Sequence, residues 1–152
     1  MSQSQRKLVL AKFDLETFLP YQLAVLANRV SDQFSEEYRE KFGISVSEWR
    51  VVAHLARAEK VSIREIYKKV EMDKSKASRA AARLEKAGYV TKNINPADRR
   101  LVELSLTTKG RAMADEIGPM GLAFQTELMR ALPEKHRKGF QEAIKILMEH
   151  HK

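Results

Sequence analysis

Cysteine is absent from all 152 residues, so disulfides, thiolate metal sites and thiol-based redox sensing are excluded. Long apolar runs are missing as well. Nothing approaches the roughly 20 residues a membrane span needs, and the N-terminal Met-Ser-Gln-Ser-Gln-Arg-Lys leads only into Leu8, Val9, Leu10 and Ala11 before Lys12. No export signal is expected, and the chain reads as cytoplasmic with no membrane partner. Catalytic signatures are also lacking: no Gly-rich phosphate loop, no nucleophile beside a general base and no paired carboxylates in an apolar setting. Neither enzyme activity nor a cofactor is expected. The histidines His54, His136, His150 and His151 include no pair at the i, i+4 spacing of a helical metal site, so no metal is assigned. His150-His151 reads as a solvated tail. There is no internal repeat and no low-complexity linker.

What is present is a 43% hydrophobic fraction, sufficient for a core in one compact domain or a small domain with helical arms. Charge is unevenly placed. Between Lys60 and Arg100 there are twelve Lys or Arg against five acids, which leaves +7 of the chain's net +8 in the middle. Nearly neutral flanks around a basic centre suggest a polyanion for the centre and another task for the ends. A solvated helical surface accounts for the charge alone equally well.

Periodicity supplies the element order. From Asp14 to Phe42, the residues Leu23, Leu26, Ala27, Val30, Phe34 and Tyr38 form one apolar stripe, a long helix ended by Gly43. Ser45-Val46-Ser47-Glu48 matches a capping box ahead of Trp49, Val52, Ala53 and Ala56, and Ser62-Ile63-Arg64-Glu65 repeats it ahead of Ile66, Tyr67 and Val70. Asp73 caps a third short helix with an inner face of Ala77, Ala80, Ala81 and Leu84 and a stop at Gly88. Tyr89 to Ile94 and Leu101 to Leu106 read as a hairpin around Asn95-Pro96-Ala97-Asp98. Thr107 caps a long helix that Gly118-Pro119 is expected to kink or interrupt, and Pro133 opens a last helix carrying Phe140, Ala143, Ile144 and Leu147. Met113, Met120, Met129 and Met148 read as core filler. The predicted fold is mainly α with a small β-hairpin wing.

Two short helices joined by a tight turn, the second with a small-residue inner face, are the parts of a helix-turn-helix. On its outer face Ser75, Lys76, Ser78 and Arg79 can reach base edges, while Lys74 and Arg83 suit phosphates. The hairpin that follows becomes a wing whose turn projects Arg99 and Arg100 toward a minor groove, with Asp98 bracing one of them. An amphipathic helix followed by a surface turn with an internal salt bridge is the competing structural reading. A winged-helix module for protein association, or a non-specific nucleic-acid binder, is the competing functional one.

The run Asp98-Arg99-Arg100 followed by Leu106-Thr107-Thr108-Lys109-Gly110, with Leu84-Glu85-Lys86-Ala87-Gly88-Tyr89-Val90 before it, resembles the signature of MarR-type winged-helix transcriptional regulators. Phe42-Gly43-Ile44 and Glu48-Trp49-Arg50-Val51-Val52 extend the resemblance. It implies a homodimer built from residues 1–44 and 107–152, and a winged helix-turn-helix DNA-binding domain over 45–106. Within that domain it implies a recognition helix over 73–87 and a wing over 89–106. The expected partner is double-stranded DNA with a pseudopalindromic operator, the expected action more often repression. The resemblance also points to an effector pocket, for which Asn28, Trp49, Arg50 and His54 are the candidates. A ring with cationic and hydrogen-bonding groups suits an aromatic carboxylate or its coenzyme A thioester. Trp49 as plain core, with Arg50 paired to a protein carboxylate, is the alternative.

Overall fold

Helix starts follow the capping residues closely. The computed structural model describes residues 1–58 and 60–152, the side chains of Leu8, Val9, Leu10 and Ala11 excepted. Its elements run α1 (Gln3–Lys12), α2 (Leu19–Phe42), α3 (Val46–Arg57), β1 (Val61–Ser62), α4 (Ile63–Lys69), α5 (Lys74–Lys86), β2 (Val90–Ile94), β3 (Val102–Leu106), α6 (Thr108–Arg130) and α7 (Glu134–His150). At α3 both halves of the capping box form: Ser45 Oγ accepts the Glu48 amide at 3.2 Å, and Glu48 Oε2 accepts the Ser45 amide at 2.5 Å. Ser62 accepts the Glu65 amide at 3.2 Å, Asp73 the Lys76 amide at 2.8 Å and Thr107 the Gly110 amide at 3.0 Å. Each such bond satisfies a donor the first turn would otherwise leave open.

These helices close around one core. Tyr38, Val51, Val52, Leu55, Ile66, Ala80, Ala81, Leu84, Leu104, Met113 and Ile117 are all buried, so α2, α3, α4, α5, β3 and α6 each contribute. Phe34, Trp49 and Phe124 extend this core from Tyr38, with ring centroids 5.1 to 6.2 Å apart along the contacts Phe34 makes, edge-to-face with Tyr38 and Trp49 and tilted with Phe124. Burial pushes the Tyr38 hydroxyl above its ordinary pKa, which keeps it neutral.

Several sequence expectations need correction. The second helix begins at Leu19, not Asp14: Asp14 caps a separate 3-10 turn at Leu15–Thr17, and Pro20 sits in the first turn of α2, where a missing N–H costs nothing. α1 was not anticipated, although Ser2 and Gln5 exchange reciprocal capping bonds at its start. The hairpin is two-thirds of a three-stranded antiparallel sheet in the order β1-β3-β2, with Val61 opposite Leu104 and Val90 opposite Leu106. Gly118-Pro119 does not interrupt α6, which runs unbroken to Arg130. Pro119 is on the exposed side of the helix, and buried Met113, Ala114 and Ile117 hold the preceding turns on the core. Met148 is exposed rather than core filler, as are Ile146 and Leu122.

The ends of the chain leave apolar surface uncovered. No residue of α7 is buried, and Phe140, Ile144 and Leu147, its predicted inner stripe, are each about two-fifths exposed. Phe13, Phe18, Leu19, Leu23 and Leu26 at the other end are similarly open. An amphipathic helix with an uncovered apolar face is an incomplete packing unit.

Candidate nucleic-acid interface

Part of the basic middle of the sequence gathers where α4, α5 and the wing meet. On α5 the inward residues Ala77, Ala80, Ala81 and Leu84 are buried, which turns Lys74, Ser75, Lys76 and Arg79 outward. Ser78 is half-buried at the edge of that face. The turn from α4 into α5 is tight, and Glu71 adopts a left-handed φ of 53° within the four residues that separate the two helices.

The wing turn is built by asparagine chemistry. Asn95 Oδ1 accepts the amides of Ala97 at 2.8 Å and Asp98 at 3.4 Å, folding the β2–β3 connection back on itself. Asp98 Oδ1 then accepts both the backbone amide of Arg100 at 3.0 Å and its Nε at 3.2 Å. A pair this open to water adds little stability, since the Arg100 side chain is 92% exposed. Its effect is directional: the guanidinium is aimed and its remaining donors face out. Arg99 is exposed at the same turn.

Wing and helix meet. Lys74 from α5, Asp98 and Arg100 from the wing, and Arg64 and Tyr67 from α4 line a common cleft of about 440 Å³. Arg64 belongs to the basic middle, and nothing in the local sequence says that the start of α4 will face the wing. Arg83, expected at a phosphate, also has a partner within the chain. Its Nε donates to Glu48 Oε1 at 2.6 Å, so the side chain is engaged with α3.

The Thr-Thr-Lys-Gly run has a structural task. Thr107 Oγ1 donates to Gly88 O at 2.6 Å, and Lys109 Nζ donates to Ala87 O at 2.9 Å while lying 4.6 Å above the Tyr89 ring. Arg111 Nη1 donates to Ala56 O at 2.9 Å. One turn of α6 therefore satisfies the last carbonyls of both α3 and α5, with cations at their negative ends.

Of the effector candidates, Trp49, Arg50 and His54 come together in a shallow open depression completed by Ala53, Lys69, Val70 and Glu71. Asn28 is exposed on α2 and does not line it. Trp49 also packs its ring against Phe34 and Tyr38, so one side of it belongs to the core while another lines the depression. Among the described residues there is no metal-ligating cluster, and no helix is long and apolar enough to cross a membrane.

Comparison with known proteins places this arrangement. The profile of the MarR family matches residues 42–101, from the end of α2 to the wing turn. An uncharacterized HTH-type transcriptional regulator of Bacillus cereus is 27% identical over 121 residues, which cover 79% of this chain and 80% of the relative. A MarR family transcriptional regulator from Silicibacter pomeroyi superposes with a TM-score of 0.77 at 28% identity, over 91% of this chain and 98% of the other. A mutant of the E. coli MarR protein, solved in complex with operator DNA, superposes with a TM-score of 0.74 at 24% identity, over 85% and 94% of the two chains.

Proposed function

We propose that this chain, whose residues 42–101 match the MarR family profile, is a winged helix-turn-helix transcriptional regulator of that family, a homodimer that reads a pseudopalindromic operator and is released by a small organic ligand. Residues 45–106 form the DNA-binding domain, and 1–44 with 107–152 the dimerisation region. One observation carries the DNA reading: Lys74, at the start of the exposed face of α5 that also bears Ser75, Lys76 and Arg79, shares a cleft with Arg64 and the braced Arg100 of the wing. A helix start rich in cations and hydroxyls suits the major groove, and an outward arginine at a wing turn suits the minor groove. A twofold pair of such units places the two helices about 34 Å apart, one turn of B-DNA.

Selection from random duplexes tests this. An inverted-repeat consensus is the expected result; retention without sequence preference indicates a non-specific binder, and no retention an association module. On the selected site, Arg79→Ala is expected to relax base preference at one position of each half-site, with about a tenfold or greater loss. Arg100→Ala is expected to weaken binding across sequences and to lower the salt slope by about one. Equal effects on both properties from both variants would contradict the assignment.

Ligand response is proposed at the depression of Trp49, Arg50 and His54, where Lys69 adds a further cation. An aromatic carboxylate, or its coenzyme A thioester, supplies a ring for the indole and an anion for the guanidinium. At a ligand concentration of about 100 Kd the thermal midpoint is expected to rise by roughly 5–10 °C. Trp49→Ala should abolish that shift; a shift that survives it places the ligand elsewhere. Repression is the proposed sign of regulation, exerted in the cytoplasm by occupying the operator until the ligand favours a dimer with misplaced recognition helices.

A further inference from the structure

Glu48 makes a contact that the capping box does not need. Its side chain is only 7% exposed, yet both carboxylate oxygens are used: Oε2 by the Ser45 amide at 2.5 Å and Oε1 by Arg83 Nε at 2.6 Å. Capping uses one oxygen, and a neutral glutamine provides it equally well. The second oxygen reaches a side chain on the helix that carries Arg79, one turn further along.

The other polar ties of that helix lie at its C-terminal end, where Thr107 and Lys109 hold Gly88 and Ala87 and Lys92 lies 3.9 Å from Glu85; toward the reading residues only packing remains. Its inner face is Ala77, Ala80 and Ala81 with only Leu84 as a larger group, and a surface of methyl groups offers few ridges to lock into a groove. A turn of about 20° about the axis carries a side-chain tip some 6 Å out through about 2 Å. The distance window of a hydrogen bond is only about 0.5 Å wide. Base contacts from α5 therefore require a lock that packing alone does not supply.

We propose that the Glu48–Arg83 pair is that lock, which makes Glu48 a positioning residue for operator reading and Arg83 a strut between α3 and α5 rather than a phosphate contact. The inference rests on the DNA-binding function proposed above. Because α3 also carries Trp49, Arg50 and His54, the same strut joins the wall of the depression to the reading helix.

Glu48→Gln, which keeps the cap, Arg83→Met and the double variant are compared with the parent on the selected duplex and on a scrambled one, across a salt series. Each single variant is expected to lose about tenfold in affinity for the selected duplex, with little loss on the scrambled duplex and an unchanged salt slope. The double variant should be no worse than either single. A salt slope reduced by about one in Arg83→Met, with Glu48→Gln binding like the parent, would overturn the proposal. Amide exchange on the DNA-free protein gives a second reading: in Glu48→Gln, protection is expected to fall along residues 77–86 and to stay unchanged in α6. A parent that retains no duplex refutes the DNA reading, and exchange then decides the pair, an unaltered α5 counting against it.

Discussion

Gly110→Ala is expected to destabilise the protein by about 3 kcal/mol or more, lowering the thermal midpoint by roughly 6–12 °C. Helix propensity alone points the other way, since alanine is favoured over glycine in a helix by about 1 kcal/mol. Geometry decides the sign. A Cβ at position 110 would sit 2.0 Å from the carbonyl oxygen of Tyr89, 3.0 Å from its carbon and 3.2 Å from Leu106 Cδ2. The leucine methyl can move, but the carbonyl cannot easily do so, because it accepts the Thr107 amide at 3.1 Å where β2 begins. Relieving the clash separates α6 from the start of the wing, so Thr107 and Lys109 lose Gly88 and Ala87 together. Thermal or urea unfolding of the variant measures the effect, and a midpoint equal to or above the parent's would mean that the close approach is not maintained in solution.

The second large effect is expected from Leu147→Asp. Leu147 shares the stripe of Phe140 and Ile144 on α7, and no residue of that helix is buried within the chain. A carboxylate there should cost the single subunit little, yet in the proposed homodimer it would have to be desolvated where the two subunits meet. Sedimentation velocity is expected to show a monomer, and affinity for the inverted repeat should fall by a factor on the order of 10² to 10⁴, because two half-sites are no longer engaged by one particle. A variant that remains dimeric with unaltered binding would place the subunit contact away from α7.

Much of the architecture was legible because its signals are local. Ser45, Ser62, Asp73 and Thr107 each precede an apolar-periodic run, and each caps a helix; Gly43 and Gly88 have φ of 68° and 81°, as left-handed stops require. Features that depend on distant partners were not legible. β1 is two residues long, too short for any alternation to register, and exists only because Leu104 lies opposite Val61. The continuity of α6 through Pro119 depends on packing that a local rule does not weigh. The site divides in the same way. The outward face of α5 follows from periodicity, and the Asp98–Arg100 brace follows from their adjacency. Neither the capture of Arg83 by Glu48, 35 residues away in the chain, nor the exclusion of Asn28 from the depression could be read from spacing.

The grip of α6 on the ends of α3 and α5 also sets a mechanical ratio. At 23 residues the helix is about 34 Å long, so a tilt of about 5° about its gripped turn corresponds to a displacement of about 3 Å at the far end. Read in reverse, a sizeable sliding of the C-terminal arms translates into only a fine adjustment of the reading head. In the proposed DNA complex such gearing would make groove alignment tolerant of thermal jostling while leaving it responsive to a sustained push.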